Sequence, residues 1–156
     1  MRAPTTPREK GATLVEFAIV FPVLITLLIG LIEFGWLFAR NVDVGHAARE
    51  GARLAAVNFP SGPSSGSATR IDADRDALIA EICERANLNP TATVTLASSG
   101  AVDDPATVTV TSQATTLTGF LDWAIPGGTS LEATAETRLE QPATWTDTAP
   151  SGQACP

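Results

Sequence analysis

Chemistry at a protein site needs a nucleophile, a base or a set of metal ligands held together, and this chain supplies few such side chains. Its one histidine, His46, would have to serve any Ser-His-Asp or Cys-His arrangement, and a solvated histidine on a helix is the simpler reading. Asp72, Asp74 and Asp76 alternate like the opening of a calcium loop. Ala77 then stands where that loop turns on glycine, and Cys83 where it needs a bidentate acid, so we read the three acids as caps of a helix N-terminus. Cys83 and Cys155 lack the spacing of a zinc site or a redox pair. They are a disulfide candidate if both lie outside the cytoplasm; the alternative is one small buried thiol and one stray thiol. No metalloprotease helix motif, phosphate-cradling glycine loop or dinucleotide fingerprint occurs. We therefore assign no catalytic, cofactor-binding or metal-binding residue, and expect no enzyme. Two carboxylates in apolar surroundings, Glu16 and Glu33, are left to explain.

The element that carries both acids is a long apolar helix. From Phe17 to Ala39 the chain is apolar except for Glu33 and Thr26, and at 1.5 Å per residue this stretch reaches roughly 34 Å, enough to span a hydrocarbon core of about 30 Å. Arg2, Arg8 and Lys10 precede it, so the positive-inside rule leaves the short N-terminus cytoplasmic and the C-terminal bulk outside, anchored in the inner membrane. A cleaved secretory signal fits poorly: the apolar run is too long, and the nearest small-x-small triplet, Gly45-His46-Ala47, lies beyond Arg40 and Asp43. Gly30 and Gly35 suit close helix packing in lipid, and Pro22 should kink the helix. Glu33, near the outer end, either snorkels to the interface or pairs across a bundle; Arg40 marks the boundary and favours the interface.

At the entry to the span the chain reads Lys10-Gly11-Ala12-Thr13-Leu14-Val15-Glu16-Phe17. A carboxylate just inside a hydrophobic helix needs compensation. In one reading Glu16 sits at interface depth, beside the positive end of the helix dipole. In the other, the chain is cut after Gly11, and Glu16 of one subunit pairs with the new ammonium on Ala12 of its neighbour, neutralising two charges and setting axial register.

A basic residue and glycine, then Ala-Thr-Leu-Val-Glu-Phe and a long apolar helix, resembles the class III signal of type IV prepilins. The longer stretch Gly11–Gly35, with Ala47-Ala48-Arg49-Glu50-Gly51-Ala52-Arg53 beyond it, is similar to TadE-like pseudopilins, the minor pilins of the Tad or Flp-type pilus system. It covers approximately the first third of the chain. The resemblance implies cleavage between Gly11 and Ala12 by a prepilin peptidase, a membrane aspartic protease. It makes Glu16 the assembly carboxylate and Phe17 the aromatic that follows it. It also implies other pilins, pseudopilins and Tad inner-membrane assembly proteins as partners, and a separate cytoplasmic ATPase as the energy source.

Beyond the span the helical pattern continues to Val57, with Val44, Ala48, Gly51, Ala52 and Ala55 forming a small-residue stripe. We expect an α+β protein: a leader over residues 1–11, one long helix over 12–58 whose transmembrane part is about 17–39, and a linker over 59–70. An extracytoplasmic domain would follow over 71–140 and an irregular tail over 141–156, with Trp145 docking at most. Within the domain, Ile71–Leu88 reads as an amphipathic helix with Leu78, Ile79, Ile82, Cys83 and Ala86 inward. Alternating stretches near Thr91–Leu96, Thr107–Thr111 and Ser130–Leu139 read as an antiparallel sheet of about three strands. Phe120, Leu121 and Trp123 should pack on the domain.

The net charge of −7, more acidic still once the basic N-terminus is set aside, argues against nucleic-acid binding. The leading expectation is a minor pilin or pseudopilin in contact with membrane lipid, built into a pilus or its assembly complex. The alternatives are an uncleaved membrane-anchored platform for pilus assembly and a tethered extracytoplasmic binding module.

Overall fold

The computed structural model describes residues 7–59, 68–86, 88, 90–119, 127–145 and 147–156. Helix α1, Pro7–Ala56, is 50 residues long, about 75 Å at 1.5 Å per residue. Pro22 lies inside it, and the Thr26 hydroxyl donates to the Pro22 carbonyl at 2.7 Å, a back-bond of the kind that bends helices. The helix ends on Asn58, whose φ of 54° is left-handed. Asn58 N–H donates to Ala55 and Phe59 N–H to Leu54, each at 3.0 Å, which satisfies carbonyls that the helix leaves open.

Helix α2, Ala68–Arg85, begins three residues before the expected Ile71 and ends earlier. This corrects the reading of the three aspartates as N-terminal caps: no acid stands in the first turn of α2. All three acids lie one turn or more into the helix, and Arg75 bridges two of them, Asp72 at 3.1 Å and Asp76 at 3.0 Å.

The strands are β1, Thr93–Ser98; β2, Pro105–Ala114; β3, Thr129–Arg138; and β4, Gln153–Ala154. They form one antiparallel sheet in the order β3-β2-β1-β4. Val108 pairs with Leu96 on one side and Ala135 on the other, so apolar side chains meet on a single face. The opposite face is threonine-rich, and Thr109 and Thr134 exchange a hydroxyl hydrogen bond at 2.9 Å across it.

The α+β class is as expected, with a fourth strand of two residues added by the tail, whose other described residues form no helix or strand. Physically, the free edge of β1 recruits it. Asp147 Oδ1 accepts from Ser98 N–H at 2.7 Å, Thr148 exchanges two bonds of 3.0 Å with Leu96, and β4 pairs with Thr93 and Val94. Cys155 N–H then reaches Ala92 O at 3.0 Å. An edge that would otherwise invite strand pairing is closed by the chain's own end. Trp145 is buried beneath this strap.

The core lies between the sheet and the two helices. Val44, Ala47, Ala48, Ala52 and Ala55 of α1, with Leu78, Ile79 and Ile82 of α2, cover Val94, Leu96, Val108 and Val110. The small-residue stripe permits close approach: a Cβ on Gly51 would come within 2.9 Å of both Ile82 and Val108 side chains. Only a bare backbone fits there. Phe120, Leu121 and Trp123 lie outside the described residues.

Candidate functional site

Two parts of α1 differ completely in surroundings. From Val44 to Ala56 the helix is the spine of the domain, whereas residues 11–28 are exposed on every side. Leu14, Phe17, Ile19, Leu27 and their neighbours thus present an apolar cylinder to the outside. That segment belongs to one helix long and apolar enough to cross a membrane.

The residues singled out by sequence lie at the start of this cylinder. Gly11 and Ala12 are inside α1, one turn after Pro7, with nothing within 4 Å of a Cβ placed on Gly11. Glu16 and Phe17 follow on the exposed helix. The Phe17 ring lies 5.3 Å from that of Phe21, a tilted pair one turn apart. Among the described residues, the ion pairs all sit between residues 50 and 85, and Glu16 enters none of them. Gly11, Ala12, Glu16 and Phe17 are therefore brought together only by helical succession.

The two cysteines, 72 residues apart in sequence, are joined, with Cα atoms 5.8 Å apart. The bond ties the end of the tail to the last turn of α2. Asp76 reinforces the tie by accepting from the Gln153 side-chain amide at 3.1 Å. That bond first, and Arg75 second, hold the Asp76 carboxyl below its ordinary range.

A cleft beside α1 and α2 gathers His46, Arg49, Glu50, Arg53 and Arg85. Glu50 receives Arg85 at 2.8 Å and Arg53 at 3.5 Å, while Arg85 also pairs with Glu81. It contains a histidine and charges but no nucleophile, which makes it a surface ion-pair cluster in chemical terms.

Sequence reasoning singled out Glu33 but missed its partner. Glu33 is fully buried, in a part of α1 where Phe34 and Leu31 are exposed. Its carboxylate accepts Leu117 N–H at 2.8 Å and Thr118 N–H at 2.7 Å, and the Thr118 hydroxyl as well. Neither a lipid-facing snorkel nor a partner across a bundle describes this arrangement, because the acid is held by the segment that follows β2. A carboxylate in an apolar run with no base one helical turn away was the available signal. The partner lies 84 residues further on in the chain, beyond the reach of any local pattern.

Fold and site together define a class: an α+β domain carried on the C-terminal half of a single long helix whose other half is bare and apolar. Residues 11–53 match the family model of the TadE-like proteins, so the chain is similar to that family along the helix that supports both Glu16 and the domain. The match begins at Gly11 and ends within three residues of the end of α1. Comparison with the curated proteins and with the solved structures returns no match.

Proposed function

We propose that this chain is a minor pilin or pseudopilin of a Tad-type pilus, cut between Gly11 and Ala12 by a prepilin peptidase and assembled through the apolar half of α1. The observation that carries this reading is the position of Glu16: an ionisable group on a bare apolar helix, five residues after Gly11, in the stretch that matches the TadE-like family. Lipid solvates a lone carboxylate badly. Parallel packing of processed subunits with an axial stagger of about 6 Å, four residues of helical rise, would bring each new Ala12 ammonium to the depth of a neighbour's Glu16 and supply the missing charge. The basic residues before Gly11 support a cytoplasmic N-terminus and an extracytoplasmic domain. The role is structural, with other pilins, pseudopilins and the inner-membrane assembly proteins as partners. Intact-mass analysis of protein extracted from membranes of cells with an active prepilin peptidase tests it. A chain starting at Ala12 is expected, and one retaining residues 1–11 would sink the proposal.

One observation favours a second reading, an uncleaved anchor that serves as an assembly platform. Helix α1 runs unbroken from Pro7 through Gly11 and Ala12, whereas a scissile bond must be presented in extended form. The same mass measurement separates the two.

A further inference from the structure

The buried acid of α1 indicates where the domain meets the bilayer. Along α1, Ile29, Gly30, Trp36, Leu37 and Arg40 are half-buried around Glu33, while every residue from 11 to 28 is exposed. The boundary between covered and bare helix is thus Leu28–Ile29, well before Arg40. Glu16 and Glu33 then bracket Phe17–Ile32, a charge-free stretch of about 24 Å by helical rise, against a hydrocarbon core of about 30 Å.

At that boundary each partner answers the other's need. A carboxylate at the edge of lipid requires donors, and loop N–H groups near lipid require an acceptor, because little water is available to either. Leu117 and Thr118 supply the donors and Glu33 the acceptor. Thr115, Leu117, Thr118 and Gly119 are exposed; the large apolar side chain among them is Leu117, 51% exposed, beside a stretch of α1 where Ile32 and Phe34 are 55% and 68% exposed. Arg40, stacked over the Trp36 ring at 4.5 Å, stands about two turns higher, at headgroup depth.

The geometry points to Thr115–Gly119 being a membrane-seated clasp: Glu33 caps its backbone, Leu117 enters the outer leaflet, and the domain is thereby fixed flush against the phospholipid surface. This rests on α1 being a membrane anchor, and the occupant is lipid rather than a second copy of the chain. It follows that Glu16, 17 residues below Glu33, about 25 Å along the axis, lies inside the inner edge of the hydrocarbon, where its need for a charge partner is greater than at the interface.

The test uses the full chain, with Cys83 and Cys155 joined, in phosphatidylcholine vesicles. An environment-sensitive fluorophore is placed in turn at Val20→Cys, Leu117→Cys and Val102→Cys, the last in the β1–β2 turn beside the far end of α1. Quenching is measured with shallow and deep nitroxide lipids and with aqueous iodide. The expected pattern is deep quenching at 20, shallow lipid quenching at 117 several-fold stronger than at 102, and iodide quenching dominant only at 102. Adding Glu33→Leu, which cannot accept hydrogen bonds, should expose the 117 label to iodide and leave the label at 20 unchanged. If 117 behaves like 102 while 20 stays lipid-quenched, the clasp is overturned and the anchor stands. Absence of lipid quenching at 20 overturns both. Shielding of 117 that disappears as vesicle lipid is added in excess would assign the surface to a neighbouring chain and reject lipid.

Discussion

Asn58 Oδ1 accepts the Thr144 N–H at 2.8 Å and the Thr144 hydroxyl at 3.2 Å. One residue therefore performs two tasks: its left-handed backbone stops α1, and its side chain anchors the start of the tail. Asn58→Gly keeps the first and loses the second, and should destabilise by about 1–2 kcal/mol, the worth of two hydrogen bonds. Asn58→Ala loses both and should cost about 1–2 kcal/mol more, the penalty of a left-handed residue with a Cβ. Thermal unfolding of the detergent-solubilised chain measures the difference. Equal effects of the two substitutions would remove the backbone part of the argument.

The Cys83–Cys155 bond closes a long loop, with 72 residues of separation. On the chain-entropy account such a closure stabilises by about 4 kcal/mol. Cys155→Ser should lower the unfolding midpoint accordingly. The amides of Val94 and Leu96, which face β4 and the tail, should lose hydrogen-exchange protection before those in the middle of β2. Uniform loss of protection across the whole sheet would show that the bond supports the entire domain and not its edge.

Asp76 adds a pH dependence of known sign. Its folded carboxyl titrates below its ordinary value because the Gln153 amide and then Arg75 favour the charged form. The native state therefore binds fewer protons than the unfolded chain in that window. The contribution is complete above the unfolded value, about 3.9, and is lost as pH falls through the lower folded one. Gln153→Ala should move the Asp76 titration upward and flatten the acid limb of stability, read by carboxyl NMR and by unfolding at several pH values. An unchanged titration would contradict the geometry. The group is largely exposed, so the effect is small.

Glu16→Ala should leave processing intact, since the altered group lies five residues beyond the Gly11–Ala12 bond, but should prevent incorporation into the assembly. Immunoblots of membrane and sheared-pilus fractions, paired with intact mass, report the two steps separately. Normal incorporation of the variant would count against charge pairing between Glu16 and a neighbouring Ala12 ammonium.

Much of the architecture was legible in local pattern. The apolar run and the small-residue stripe predict α1, because both depend on neighbours one helical turn apart. Leu78, Ile79, Ile82 and Cys83 were legible as the inner face of α2 for the same reason, and all four are buried. The alternation of threonine with valine or alanine predicts three strands. Asp72, Asp74 and Asp76 misled, because acids that look like caps can sit inside a helix, where Asp72 and Asp76 are partners of Arg75. The fourth strand was not legible because it is only two residues long, and Asp147 and Thr148 extend the edge of β1 partly through side chains, which leaves no strand periodicity to read.

The sequence by itself determined the bare apolar helix, the acid at its entry and the α+β class, since each is a property of composition or of short-range periodicity. Only the tertiary structure decided what Glu33 is for, how the tail closes the sheet and which cysteine partners are in reach. Those depend on contacts between segments far apart in the chain, such as Glu33 with Thr118 and Cys83 with Cys155. Such pairings are selected by the shape of the whole core, and no window of residues encodes them.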